Sequence, residues 1–234
     1  MGIRLRVNAA LIAAAIVGGS VGAWYLNGLL QKRASEEVVR QAGIFMEQAL
    51  AVRGYTVDYI KPELDGRLAE KFLPQTVPAF AATETFVRLR KAFPNVRYKE
   101  AVLNPTNPRD LAVDFEKQVI ERFAADTSLK ETSGEITTNL RRLYYVAKPI
   151  RITNAACLGC HDTPDRAPPS LIKAYGDKQG FGWTHNQLVG AQIVVVPAYE
   201  QEQATHSLFL QIMSIFGGMF ALVLVAVNLG LPRE

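Results

Sequence analysis

The chain has 234 residues, enough for one domain with additional segments, and its hydrophobic residues, 49% of the total, are concentrated towards the two ends. Its net charge of +4 is mild, and the sequence contains neither a basic run nor a face of alternating aromatic and basic residues. These features argue against nucleic acid as a partner.

The first predicted element is an apolar helix at 7–30, which contains no charged residue. A run of about 20 such residues spans the hydrocarbon core of a bilayer. Arg4 and Arg6 precede it, and basic residues favour the cytoplasmic side. The alternative is a cleaved signal peptide, because Val21-Gly22-Ala23 would suit a signal peptidase. Since the apolar run is longer than a usual signal sequence, we expect a retained N-terminal transmembrane anchor at 1–31.

A second apolar stretch lies at 207–231 and is interrupted only by three polar residues, Gln211, Ser214 and Asn228. It is also long enough to span a bilayer, so both termini would lie on one side of the membrane. We therefore expect an extracytoplasmic domain at 32–206 and a C-terminal transmembrane helix at 207–234. The membrane is a predicted partner, and the central domain is expected in the periplasm or the thylakoid lumen.

Between the two spans, the sequence predicts helices and strands in mixed order. Apolar residues recur at helical spacing over 31–60, and Pro62 is expected to end that helix. The other predicted elements are a short helix at 83–92, a strand at 97–103, a helix starting at Asn107, a hairpin within 135–152 and a strand at 188–196. A central antiparallel sheet with flanking helices defines an α+β fold.

The two cysteines of the chain belong to the sequence Cys157-Leu158-Gly159-Cys160-His161. This is the pattern of a c-type haem attachment site, in which both thiols form thioethers with the porphyrin and the imidazole ligates the iron. A thioredoxin-like redox pair has the same cysteine spacing but gives His161 no role. A zinc site needs a fourth ligand, for which His185 and His206 are candidates. We predict one covalently attached haem c, held by Cys157, Cys160 and His161.

The second axial ligand of the iron is a separate question. Because the sequence has no third cysteine, a thiolate is excluded, and the candidates are Met46, His185, His206, a tyrosine or a vacant position. Met46 lies on the apolar face of the helix at 31–60, where a core methionine is the ordinary interpretation. A His/Met pair, however, raises the reduction potential and suits electron transfer. We select Met46 as the second predicted iron ligand.

Charged haem propionates need cationic partners, and four arginines flank the segments expected near the haem. They are Arg53, Arg141, Arg142 and Arg151. A guanidinium binds a carboxylate well, although each of these residues could equally be a solvated surface arginine. Trp183 and several tyrosines could contact the porphyrin ring or pack in the core.

An ordered series of short motifs runs through the central part of the chain. In chain order these are VRGYT, FLPQTVPAFAA, YKEAVLNPTNPRD, KPIRITNAACLGCH, APPSLI, GFGW and VGAQIVVVP. Over about 40–198, the chain resembles the cyanobacterial PAS-like c-type haem domain family, whose members occur alone or as the extracytoplasmic input of membrane signalling proteins. The resemblance implies a PAS-like sheet with haem near its edge, and it supports Cys157, Cys160 and His161 as the haem-anchoring residues.

Two functions follow from these expectations. The first is a membrane-anchored monohaem c-type cytochrome, acting as an electron carrier or as an accessory haem subunit of a membrane redox complex. The second is a haem-based redox or gas sensor that acts through a partner membrane protein. The first is favoured because the sequence ends soon after its second apolar run, without an output domain. We do not expect an enzyme, because no His/Glu or Ser/His/Asp arrangement is evident.

Overall fold

The computed structural model of the chain describes residues 2–138 and 141–230. These residues form two compact units. The first, which we call the terminal unit, consists of Met1–Glu37 and Ala198–Glu234; the second, the central unit, is Val38–Pro197. The functional boundaries expected after residues 31 and 206 stay predictions.

The described residues form seven α-helices and four strands. The helices are α1 (Ile3–Tyr55), α2 (Lys61–Leu64), α3 (Pro78–Leu89), α4 (Asp114–Ala125), α5 (Leu158–His161), α6 (Pro169–Tyr175) and α7 (Tyr199–Gly230). The strands are β1 (Arg97–Val102), β2 (Thr132–Thr138), β3 (Arg141–Arg151) and β4 (Leu188–Pro197). A π-helical turn at Thr56–Ile60 joins α1 to α2.

The terminal unit contains the apolar parts of α1 and α7. Two helical segments, Ile3–Arg67 and Tyr199–Gly230, are long and apolar enough to cross a membrane by length and composition, and the most apolar window of each is not buried in the fold. They are compatible with the two predicted spans. Within this unit, the side-chain amides of Asn8 and Asn228 exchange two hydrogen bonds, 2.9 and 3.0 Å long.

The central unit is built on one antiparallel sheet with the strand order β1-β4-β3-β2. Strand β4 lies between β1 and β3, and its residues are almost continuously buried because helices cover both faces of the sheet. Gly190 of β4 faces β1 so closely that an added Cβ would overlap the carbonyl oxygen of Ala101. The sheet with its flanking helices confirms the predicted α+β class.

Helix α4 covers one face of the sheet. The buried residues of this core are Ala101, Ala112, Val119, Ile120, Phe123, Tyr145, Ala147, Ala191 and Ile193. Alanines from three strands leave room for the larger side chains of the helix, so α4 packs close to the sheet.

The part of α1 in the central unit contacts the opposite face. Lys148 of β3 donates a hydrogen bond of 2.5 Å to Glu47, and Arg53 forms an ion pair with Glu100 of β1. Lys148 and Glu100 both pair in register with Gln192 of β4, so their side chains share one face of the sheet. The side of α1 that is buried here carries Val38, Ala42, Met46 and Ala49, at helical spacing.

Three predicted helix boundaries differ from the structure. The helix predicted at 83–92 is α3, which begins at Pro78 because a proline is well placed in the first turn of a helix. Pro62 does not end the first helix, because the helical segment continues through the π-helical turn and α2. Asn107 caps only a short 3-10 turn, Pro108–Asp110, by accepting a hydrogen bond of 3.1 Å from the backbone N–H of Arg109. Because Leu111 and Val113 are extended, α4 begins only at Asp114.

Candidate functional site

The Cys-x-x-Cys-His sequence forms a compact helical turn immediately after β3. A 3-10 turn at Ala155–Cys157 leads directly into α5. Asn154 caps the 3-10 turn, because its side chain accepts a hydrogen bond of 2.9 Å from the backbone N–H of Ala156. Both cysteines are free thiols and are half-buried, so the local sequence brings two thiols and one imidazole together within about one turn.

The ring of His161 is fixed by two contacts with the loop that precedes β4. Its Nδ1 lies 2.7 Å from the carbonyl oxygen of Gly180, and a carbonyl can only accept, so Nδ1 carries the proton and donates. The indole of Trp183 stacks on the imidazole, with ring centroids 3.9 Å apart and an interplanar angle of 12°. The lone pair of Nε2 is consequently the one available to a metal.

The loop that contacts His161 is itself held at several points. The backbone N–H groups of Gly182 and Trp183 donate to the carbonyls of Asp162 and His161, over 2.7 and 3.1 Å. Gly180 has a φ of +82° and an α-carbon packed against Thr106, and its N–H donates to the side chain of Asn104 over 3.2 Å. Only glycine satisfies both conditions at position 180.

Apolar contacts attach this turn to one end of the sheet. Cys157, Leu158 and Trp183 pack against a small core formed by Val102, Ile152 and Val189, which lie at or next to the ends of β1, β3 and β4. The site therefore rests on three strands, which fix it more firmly than a loop alone would.

Burial controls the protonation of the site. It raises the pKa of both cysteine thiols, although the guanidinium of Arg53 acts in the opposite direction on Cys157, and the ammonium of Lys61 does so on both. Burial lowers the pKa of His161, against the effect of the hydrogen bond to Gly180. The imidazole is therefore held in its neutral form, which is the form that binds metals.

The zinc alternative finds no support in the structure. Among residues 2–138 and 141–230, no group of three or more His, Cys, Asp and Glu side chains could hold a metal ion. His185 and His206, the candidate additional ligands, are both exposed. A site formed by the two thiols and His161 would therefore lack the fourth protein ligand that a structural zinc ion requires.

The other predicted site residues occupy different environments. The side chain of Met46 is fully buried in α1, and its role as a second iron ligand stays a prediction. Arg142 pairs with Glu135 on the β2–β3 hairpin, over 2.9 Å, and Arg151 donates to the carbonyl of Phe123 over 3.0 Å. The side chain of Arg141 is outside the described set. The charge of Arg53 acts on Cys157 of the motif.

Three features of the site were not predicted from the sequence. These are the acceptor role of the Gly180 carbonyl, the stacking of Trp183 on His161, and the ion pair between Arg53 and Glu100. The only signal for the first two was the Gly-Phe-Gly-Trp run at 180–183, in which glycine indicates a special backbone conformation but not its partner.

The fold and the site together define an α+β domain that carries a Cys-x-x-Cys-His turn at one end of a four-stranded antiparallel sheet. The chain belongs to the Tll0287-like family, whose model matches residues 31–197. This confirms the family resemblance drawn from the ordered motifs. The crystal structure of the cyanobacterial haem protein Tll0287 has a similar fold, with a TM-score of 0.52 and 19% sequence identity. The match covers 69% of this chain and 95% of that one. No curated protein matches the chain.

Proposed function

We propose that the central unit is a PAS-like domain that binds one haem c covalently through Cys157 and Cys160, with His161 as an axial iron ligand. The observation that carries this proposal is the hydrogen bond between Nδ1 of His161 and Gly180, because it directs Nε2 to a metal. An added Cβ at Gly159 would meet nothing within 4 Å, so the turn is not crowded at the residue between the two cysteines. The structural relative Tll0287 is a haem protein, which agrees with this assignment.

In this proposal each residue has a separate task. Cys157 and Cys160 prevent dissociation of the porphyrin, while Trp183 and Gly180 keep the imidazole of His161 in one orientation and one tautomer. The apolar contacts of Cys157 and Leu158 limit the access of water to that side of the site. Haem, when bound, supplies a one-electron Fe(III)/Fe(II) couple.

We further propose that the chain is a membrane-anchored electron carrier or an accessory haem subunit of a membrane redox complex, without a catalytic role of its own. The two apolar helical segments support anchoring, and an extracytoplasmic central unit would place the cysteines in a compartment suited to covalent haem attachment. Its partners would be the membrane and a neighbouring redox protein.

Covalent attachment is tested by expressing the full chain with a cytochrome c maturation system and measuring its intact mass. We expect the mass of one haem in addition to the polypeptide, and a red protein after acid-acetone extraction. The matched control is the variant C157S/C160S, which should lose both. Removal of all colour from the wild type by the extraction would contradict the proposal.

A sensor that acts through a partner membrane protein is the second candidate. It is favoured by one observation: the π-helical turn at Thr56–Ile60 directly precedes Lys61, whose charge acts on both cysteine thiols. Such turns occur frequently at functional sites. An optical redox titration with and without carbon monoxide separates the candidates, because a carrier should be six-coordinate and inert to the gas, whereas rapid binding would favour sensing.

A further inference from the structure

The ion pair between Arg53 and Glu100 has a carboxylate that is almost completely removed from water. The side chains of Arg53, at the end of α1, and Glu100, on β1, are 24% and 5% exposed. Nη1 of Arg53 donates to both carboxylate oxygens of Glu100, and the hydroxyl of Tyr98 donates to one of them over 2.8 Å. A buried carboxylate requires such partners, and this one fixes the guanidinium in turn.

This ion pair lies at the cysteine end of the sheet. Glu100 and Val102 alternate with Ala101 on β1, so they share a face and are separated by about 7 Å. Val102 belongs to the small core that packs against Cys157 and Leu158. The guanidinium of Arg53 is therefore held on the same face of the sheet as the haem-attachment turn and close to it, which agrees with its effect on the pKa of Cys157.

The pairing with Glu100 does not use all the N–H donors of the Arg53 guanidinium. A guanidinium carries five N–H groups in a fixed fork, and both of its bonds to Glu100 start from Nη1. The hydroxyl of Tyr98 is a further hydrogen-bond partner of the guanidinium, and neither bond to Glu100 uses Nε or Nη2. Such an edge of two parallel N–H groups matches a carboxylate, which it can bind with two hydrogen bonds.

We propose that the open edge of Arg53 binds a propionate carboxylate of the haem, and that Glu100 is the residue that positions Arg53 for this contact. The inference rests on the proposed function, since it assumes the haem held by Cys157 and Cys160. It distinguishes Arg53 from Arg142, whose guanidinium pairs with Glu135 at the other end of β3.

The two members of the pair should change the haem in opposite directions. A cation beside the haem disfavours the more positive ferric state, so R53Q should lower the midpoint potential, whereas E100Q removes a compensating anion and should raise it. We expect the equilibrium constant for reduction to change about tenfold in each case, which corresponds to about 59 mV for a one-electron couple. A purely structural role would not produce opposite signs.

The experiment compares matured full-length wild type, R53Q and E100Q with two matched controls, R142Q and E135Q. Arg142 and Glu135 form an Arg–Glu pair of similar chemistry on the exposed hairpin. Arg142 is distant from the cysteine end of the sheet, at the other end of β3, about 30 Å away along the strand. Potentials are measured by optical redox titration, and the propionate contact is measured from the propionate bending band in the resonance Raman spectrum.

We expect R53Q to shift the Raman band to lower frequency and both controls to leave band and potential unchanged. If R53Q does not accumulate, R53K replaces it, because a lysine keeps the charge but loses the fork and should shift the band at a near-normal potential. If the wild type carries covalent haem and its Raman band does not respond to R53Q or R53K, the inference alone is overturned. A wild type without covalent haem overturns the proposed function as well.

Discussion

At the scale of single residues, Gly180 meets two requirements at once. Its carbonyl accepts the hydrogen bond from His161, and its α-carbon packs against Thr106 at a φ of +82°. Gly182 also has a positive φ, +79°, but an added Cβ there would meet nothing within 4 Å. Comparing an alanine substitution at each of the two glycines therefore separates the cost of backbone strain from the cost of steric overlap.

We expect G182A to lower the free energy of unfolding by about 1 kcal/mol, since alanine is strained at a positive φ. G180A should cost about 1–3 kcal/mol more, because its Cβ would also lie 2.8 Å from the backbone nitrogen of Thr106. Thermal and denaturant unfolding of the two variants measure the difference. Equal losses would show that the contact with Thr106 relaxes without cost.

Met46 poses a different question at this scale, because a buried methionine can serve as a core residue or as an iron ligand. M46L conserves the side-chain volume, so its cost in stability should stay below about 1.5 kcal/mol. If Met46 ligates the iron, M46L should abolish the weak red charge-transfer band that is typical of Met-ligated ferric haem. A normal band in M46L would exclude Met46 as an iron ligand. The control variant is H185A, because His185 is exposed.

At the scale of elements, Glu116 joins the start of α4 to β1. Its carboxylate accepts hydrogen bonds of 2.8 Å from the backbone N–H of Val113 and from the ammonium of Lys99. The residue thus caps the helix and holds it on the sheet, and its own side chain is only 7% exposed.

Replacement of Glu116 by alanine should lower the free energy of unfolding by about 1–3 kcal/mol. The backbone N–H of the N-cap residue Val113 and the partly buried ammonium of Lys99 would both lose their acceptor. E121A is the matched control, since Glu121 is on the same helix and exposed, and its cost should be below about 0.5 kcal/mol. Denaturant titrations of both variants measure the two costs. If E116A and E121A lower the free energy of unfolding by similar amounts, the apolar face of α4 alone holds the helix on the sheet.

The sequence predicted strands better than it predicted where helices begin. Strand β4 has a continuous apolar run and β1 an alternating one, and both were located within one residue of their observed bounds. Asn107-Pro108 has the composition of a helix start, yet Leu111 forms a bridge with Val102 and interrupts the helix. The start of α4 is thus set by a contact between two segments of the chain, which local capping preferences cannot predict.

At the scale of the whole chain, the terminal unit depends on a polar contact between apolar helices. The side-chain amides of Asn8 and Asn228 satisfy each other's hydrogen-bonding groups, which lipid cannot do. Asn228 also donates a hydrogen bond of 2.8 Å to the carbonyl of Leu224. Interhelical hydrogen bonds of this kind contribute about 0.6–2 kcal/mol in membranes.

We expect N8L and N228L each to destabilise the pairing of α1 with α7 by about 1 kcal/mol, and the double variant to cost less than their sum, because both changes remove one interaction. Unfolding in mixed micelles with increasing detergent denaturant measures this double-mutant cycle. N27L is the control on α1, since Asn27 is exposed. Strict additivity would mean that the two amides do not interact in the micelle.

The candidate site was only partly predictable for a related reason. Cys157, Cys160 and His161 are local in sequence, so their spacing alone indicated their chemistry. Their supports come from elsewhere: Gly180 and Trp183 follow about 20 residues later, and Arg53 and Glu100 precede the motif by more than 50. Only the folded sheet brings these segments to one end of the central unit.

The position of β4 within the sheet also constrains how the protein is made. This strand is the last to be synthesised, yet it separates β1 from β3, so β1 has no partner strand and β3 is paired only with β2 until residues 188–197 have emerged. The Cys-x-x-Cys-His segment leaves the ribosome earlier, when the sheet is still open. Until β4 joins the sheet, the two thiols therefore lack the burial that raises their pKa in the finished domain.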